Sequence, residues 1–127
     1  MLEYLPAQKP LYENANLSPY NEHIQNLHHA QKDAYHFATP LIKLLQKYPK
    51  QEIASHTFSH YYCLEKGQTL ADFERDLSAA VAISKAKNIE LTSLVFPRNQ
   101  FNEAYLKVCA EQGINAYRGN EKVWFHA

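Results

Sequence analysis

Glycine is scarce: the 127 residues hold three, Gly67, Gly113 and Gly119. A phosphate-cradling loop or a dinucleotide fingerprint needs clustered glycines so that backbone can approach phosphate, and these three are scattered. A nucleotide cofactor is therefore not expected. Charge of one sign is also missing, because thirteen Lys plus Arg balance thirteen Asp plus Glu. Without a basic run or arm to neutralise phosphates, nucleic acid is not expected as a partner. The two cysteines, Cys63 and Cys109, form neither a CxxC pair nor a disulfide-dense pattern, and they read as buried or half-buried thiols. No apolar run approaches the roughly 18 residues that span a bilayer, so no membrane span is expected. Met1 to Pro10 lack the basic-then-apolar order of a secretion signal.

A chain of this length suits one domain, residues 1–127, with one core, yet it is short for a complete barrel of alternating strands and helices. Met1 to Asn16, with Pro6 and Pro10 and no clear period, predicts an irregular or edge segment. Ser18-Pro19 resembles a cap followed by proline at the first helical position, and predicts a polar helix from about Tyr20 to Ala30 with Ile24 and Leu27 on one side. His23, His28 and His29 ride on it as exposed polar residues. A loop with Tyr35, His36 and Phe37 follows. Thr39-Pro40 repeats the capping signal, and Leu41, Leu44, Leu45 and Tyr48 fall at i, i+3, i+4, i+7, the stripe of a helix packed on a sheet and stopped by Pro49.

Gln51 to Ser55 then reads as a strand. Thr69 with Asp72 makes a capping box for a helix carrying Leu70, Phe73, Leu77, Ala80 and Val81 on one face, with Asn88 as its stop. Leu91 to Phe96 is a compact apolar run closed by Pro97, the pattern of a buried parallel strand. Asn102 caps a further helix with Ala104, Tyr105 and Val108 inward and Gly113 as terminator, and Ile114 to Tyr117 is a third strand. Strands and helices alternate with short connections, which predicts an α/β fold with a parallel sheet. The carboxyl ends of its strands bring His56, His60, Arg98 and Arg118 to one rim.

Two of those rim residues carry chemistry by their spacing. His56 and His60 stand four apart, and on a helix they would share one face with about 5 to 6 Å between Cβ atoms. That arrangement suits one divalent metal, and zinc takes histidine nitrogen at roughly 2.0 to 2.1 Å. Thr57 stands where the zinc-protease helix has its glutamate base, so a base must lie elsewhere. Histidines at this spacing also arise without function among the seven in the chain. What favours ligands is a strand ending directly in a His-rich turn, where parallel α/β proteins keep their chemistry.

His56-Thr57-Phe58-Ser59-His60 resembles the second motif, His-Ser/Thr-x-x-His, of the polysaccharide deacetylases with a NodB-homology domain, carbohydrate esterase family 4. The similarity continues through Val95-Phe96-Pro97-Arg98-Asn99-Gln100 and Tyr117-Arg118-Gly119-Asn120-Glu121. The resemblance implies a partial (β/α) barrel-like parallel sheet of the NodB type with extra N-terminal helices. It implies metal-dependent hydrolysis of N-acetyl, or O-acetyl, groups on a polysaccharide or oligosaccharide. His56 and His60 would hold a divalent metal, usually zinc. Arg98 matches the third motif in part, since the common form puts Arg before Pro and here Pro97 precedes it; its implied role is to orient an aspartate base by a charge-assisted bond. Tyr61, Tyr62 and Phe96 at the rim, with Asn99 and Gln100, would contact the sugar.

The first family motif, Thr-Phe-Asp-Asp, supplies the third ligand and the base, and nothing between Met1 and Gln51 matches it. Asp33 is the one aspartate there. The later motifs, Asp-x-x-Asp-Trp and Leu-x-Leu-His, are not matched by Trp124 and His126 in Val-Trp-Phe-His. The expectation is therefore the middle of a deacetylase domain, which alone would bind metal weakly and hydrolyse slowly or not at all. The alternative is a catalytically silent relative that binds sugar or metal.

Overall fold

Three segments of the chain run side by side in one direction. In the computed structural model, which describes residues 2–20 and 38–120, β1 (Ser93–Leu94) pairs in parallel with β2 (Ala116–Tyr117), Leu94 lying opposite Tyr117. On its other side Leu94 forms a single parallel bridge to Ser55. The Ser55 amide donates to the Ser93 carbonyl at 3.2 Å, and the Ser55 carbonyl accepts from Val95 at 2.9 Å. Ser55, Leu94 and Tyr117 thus form one row. The strands expected at 51–55, 91–96 and 114–117 occur in this parallel sense but pair over one or two residues. Beyond Phe96 the ladder cannot lengthen, because Pro97 has no amide to give and Arg98 turns left-handed at φ 54°.

Helices fill the connections. Between Ser55 and β1 lies α2 (Leu70–Ala86), and between β1 and β2 lies α3 (Glu103–Glu111). The expected caps are in place: the Thr69 hydroxyl accepts from the Asp72 amide and donates to its carboxylate, and Asn102 Oδ1 accepts from Ala104 and Tyr105. Each such cap is worth about 1 kcal/mol. Asn88 and Gly113 take positive φ just beyond the two helices, the left-handed stop that ends a helix.

α2 packs on α3 and on the short turn Leu2–Tyr4. The core gathers around Phe73, whose ring centroid stands 5.0 Å from Tyr105, 5.6 Å from Tyr61 and 6.0 Å from Phe96. Tyr61 and Phe96 have no exposed surface. This corrects their expected placement as sugar-contacting rim residues: both rings are core, and the Tyr61 hydroxyl donates inward to the Thr69 carbonyl at 3.1 Å. Cys63 and Cys109 are free and buried, and burial pushes the Cys109 thiol up to about 11.

α1 (Thr39–Leu45) also departs from expectation. Ala38, not Thr39, occupies its N-cap, with Thr39 and Pro40 inside the first turn. Its stripe of Leu41, Leu44, Leu45 and Tyr48 lies 47–62% exposed rather than packed on a sheet. Ile42 instead faces a groove of about 770 Å³ shared with Ile53, Phe58 and α2. No helix among the described residues is long and apolar enough to cross a membrane. The helix expected over 20–30 with His23, His28 and His29, the loop of Tyr35, His36 and Phe37, and the tail with Glu121, Trp124 and His126 fall almost wholly outside the described residues.

The irregular N-terminal segment is tied to the domain at Gly67. Glu13 donates to the Lys66 carbonyl at 2.9 Å, and Gly67 sits at φ 90° with the Leu11 carbonyl so close that a Cβ would stand 2.3 Å from it. Only glycine fits that turn. Tyr12 is buried alongside, and its hydroxyl accepts from the Tyr62 amide at 3.0 Å.

Candidate metal centre

His56 leaves the sheet directly after the Ser55 bridge, where the neighbouring strand is also ending. Its Nδ1 lies 2.7 Å from the Val95 carbonyl. A carbonyl only accepts, so Nδ1 carries a proton, and in the neutral tautomer this leaves the lone pair on Nε2. This is the carbonyl-backed arrangement that orients metal-ligating histidines.

From His56 to His60 the chain is a tight loop, not the helical turn that the i, i+4 spacing anticipates. Thr57 and His60 both take left-handed φ, 66° and 56°. For a β-branched residue that conformation costs on the order of 1 to 3 kcal/mol and persists only where the surroundings over-determine it. They do so here. The Thr57 hydroxyl accepts from the Tyr61 amide at 2.7 Å, and the Phe58 amide donates to the Asp76 carboxylate at 2.8 Å. The Ser59 amide donates to the same carboxylate at 3.1 Å, and the Ser59 hydroxyl joins it.

The loop nevertheless brings the two exposed imidazoles together. Their centroids are 4.7 Å apart with planes inclined at 66°. Two imidazoles on one tetrahedral zinc, each bound at its nitrogen, would stand about 5 Å apart by the same measure, so the observed separation fits a shared cation. Partial desolvation of the ring, helped by the neighbouring His56 and the Arg98 guanidinium, holds His60 below the usual imidazole value. A neutral ring is the form that binds metal. Two imidazole donors suit zinc, cobalt or nickel alike, and His56 and His60 are the residues that would hold such a cation.

Arg98 stands on the same rim. Its guanidinium lies over the Tyr62 ring at 4.4 Å, and Tyr62 in turn meets His60 edge-on at 5.1 Å. The expected carboxylate partner was an aspartate base; among the described residues it is Glu65, at 3.3 Å, which also accepts from Gln100 at 2.8 Å. Asn99 is exposed beside it, accepting from Arg118 on its side chain and from Asn120 on its carbonyl, each at 3.1 Å. Arg98, Asn99, Arg118 and the histidines are thus gathered at the strand exits. Tyr61 and Phe96 are not among them. Among the described residues no group of three or more His, Cys, Asp and Glu side chains stands together to hold a metal.

Glu65, Tyr12 and Asp76 support the site without having been singled out as candidates. Asp76 had a visible signal, since it falls between Phe73 and Ala80 on the apolar face of α2, where a carboxylate is out of place. No protein family, curated protein or solved structure matches the chain in comparisons with each.

Proposed function

We propose that this chain carries the histidine part of a metal-dependent deacetylase site that acts on N-acetyl groups of a polysaccharide or oligosaccharide. One observation supports it above the rest: two imidazoles 4.7 Å apart at parallel strand exits, one of them with its Nδ1 engaged by a backbone carbonyl, which leaves Nε2 for a ligand. A divalent cation held there would supply Lewis-acid chemistry toward an amide carbonyl and toward water.

The residues of this chain have separable parts in that chemistry. His56 and His60 would hold the ion, the first oriented by its Nδ1 contact with the Val95 carbonyl. Tyr62 and Arg98 flank His60 and give the rim a flat, cationic wall on which a sugar face or an acidic substituent can rest. Asn99 and Gln100 offer amide groups to sugar hydroxyls. The carboxylate ligand and the base that the reaction also needs are sought outside the described residues.

A second reading, metal or sugar binding without turnover, is favoured by the count of two histidine donors at the described site. Zinc dialysis and acetate release from chito-oligosaccharides separate the two. Deacetylation predicts one zinc per chain and acetate release, both lost in His56→Ala. Zinc without acetate favours the metal-binding form of the second reading, and neither zinc nor acetate refutes both metal-dependent readings.

A further inference from the structure

Asp76 is 1% exposed, and its place on α2 is among Phe73, Leu77 and Ala80, all of them buried. A carboxylate in such surroundings is unfavourable unless it is fully hydrogen-bonded, so what it bonds explains its presence. Its hydrogen-bond donors are the Phe58 amide, the Ser59 amide and the Ser59 hydroxyl. All three belong to the loop between His56 and His60. The buried Tyr20 ring faces the same spot, its hydroxyl beside Ser59.

The consequence lies in the backbone torsions on either side. Thr57 precedes the pinned pair and His60 follows it, and both are left-handed without being glycine. Released from Asp76, Phe58 and Ser59 could move outward and let both neighbours return to ordinary φ. A change of that torsion at Thr57 and at His60 re-aims the His60 imidazole relative to His56, whose ring Val95 holds. The Thr57 to Tyr61 bond closes the loop without setting its depth.

We infer that Asp76 is a positioning residue for the histidine pair: by holding the Phe58 and Ser59 amides it keeps His56 and His60 at the separation a single cation requires. Its purpose rests on the metal reading proposed above, whereas the geometry it imposes exists without metal. Asp76 touches no reacting atom.

The test uses Asp76→Asn and Ser59→Ala in the whole chain, with Leu77→Ala as a control that weakens the same helix through a side chain that makes no hydrogen bond to the loop. The first measurement is made without metal. In Asp76→Asn the Phe58 and Ser59 amide protons should exchange at least about ten-fold faster, and the nuclear Overhauser contact between the two imidazoles should fade. The second is titration with Zn²⁺ alone, where a lost positioning partner lowers affinity about 10- to 100-fold. Ser59→Ala removes one donor of three and should give a smaller change of the same kind, which keeps the inference testable if Asp76→Asn does not fold. Leu77→Ala should lower thermal stability and leave ring contact and zinc affinity as they were.

Unchanged ring contact in folded Asp76→Asn, or in Ser59→Ala if that is the variant that folds, overturns the inference. So does a Leu77→Ala protein that loses ring contact to the same degree, because Asp76 would then act only through general stability. A wild type that takes up no zinc but shows the ring contact and its loss in Asp76→Asn refutes the metal reading and leaves the positioning role standing.

Discussion

The Nδ1 of His56 and the carbonyl oxygen of Val95 are 2.7 Å apart, so a side chain on one strand exit is fixed by the backbone of the next. The ladder and the ring share this piece of chain, since the Val95 amide donates to Ser55 while its carbonyl turns to His56. Pairing within the sheet and orientation of the imidazole are therefore one event.

A spectroscopic expectation follows from that bond. In its neutral form His56 should be the Nδ1–H tautomer, with the proton on the nitrogen that faces Val95. A long-range proton–nitrogen correlation spectrum of the metal-free protein reads this directly. Finding the proton on Nε2 would remove the lone pair from that nitrogen and with it the fit to a cation.

Gly67 predicts a stability effect far from the histidines. A Cβ there would meet the Leu11 carbonyl oxygen at 2.3 Å, and the residue sits at φ 90°. Gly67→Ala has to strain its own torsion and displace the Leu11–Glu13 segment, which should cost about 1 to 3 kcal/mol. Because Tyr12 lies in that segment and its hydroxyl receives the Tyr62 amide, the loss should be accompanied by a shift of the Tyr62 amide resonance. Urea unfolding gives the first quantity and an amide correlation spectrum the second. A variant as stable as the parent, with Tyr62 unmoved, would show that the N-terminal segment is not docked this way.

Local signals in the sequence were read well where one residue type has one use. Thr69 with Asp72, Asn102, and the stops at Asn88 and Gly113 act through their own hydrogen bonds and torsions, so their roles needed no knowledge of the rest of the chain. The parallel sense at Leu94 came from the alternation of strands and helices. Side-chain direction was the weak point. In an extended segment successive residues face opposite ways, so with Leu94 buried Phe96 must follow it, whereas Tyr61 turns inward just behind the left-handed His60. Reading those aromatics as rim residues overlooked that alternation and that turn.

Other features were not legible for deeper reasons. The i, i+4 spacing of His56 and His60 suits a helix, but the loop reaches a similar closeness through two left-handed torsions that no hydrophobic period records. The stripe on α1 shows that the helix has an apolar face without showing what covers it, and in the described residues Leu41, Leu44 and Leu45 face outward. Asp76 stands at an apolar position of α2, and a hydrophobic period marks the face without marking the partner a carboxylate finds there.

Asp76 also predicts how stability changes with pH. Burial pushes its carboxyl above the ordinary value of 3.8, while the Ser59 hydroxyl and the two loop amides pull the other way without cancelling that effect. The folded state therefore holds this proton more tightly than the unfolded chain. Between the ordinary value and the raised one the folded protein binds more protons, and its unfolding free energy falls as pH rises. The contribution is complete below about 3.8 and is lost as pH climbs through the folded value. Asp76→Asn cannot titrate, and its other carboxylates are those of the parent. The difference in unfolding free energy, parent minus variant, should thus be largest in acid and shrink toward neutrality. Urea titrations at a series of pH values measure it. A difference that instead grows with pH would mean that the donors from Phe58 and Ser59 outweigh burial, leaving the Asp76 carboxylate favoured rather than penalised in the fold.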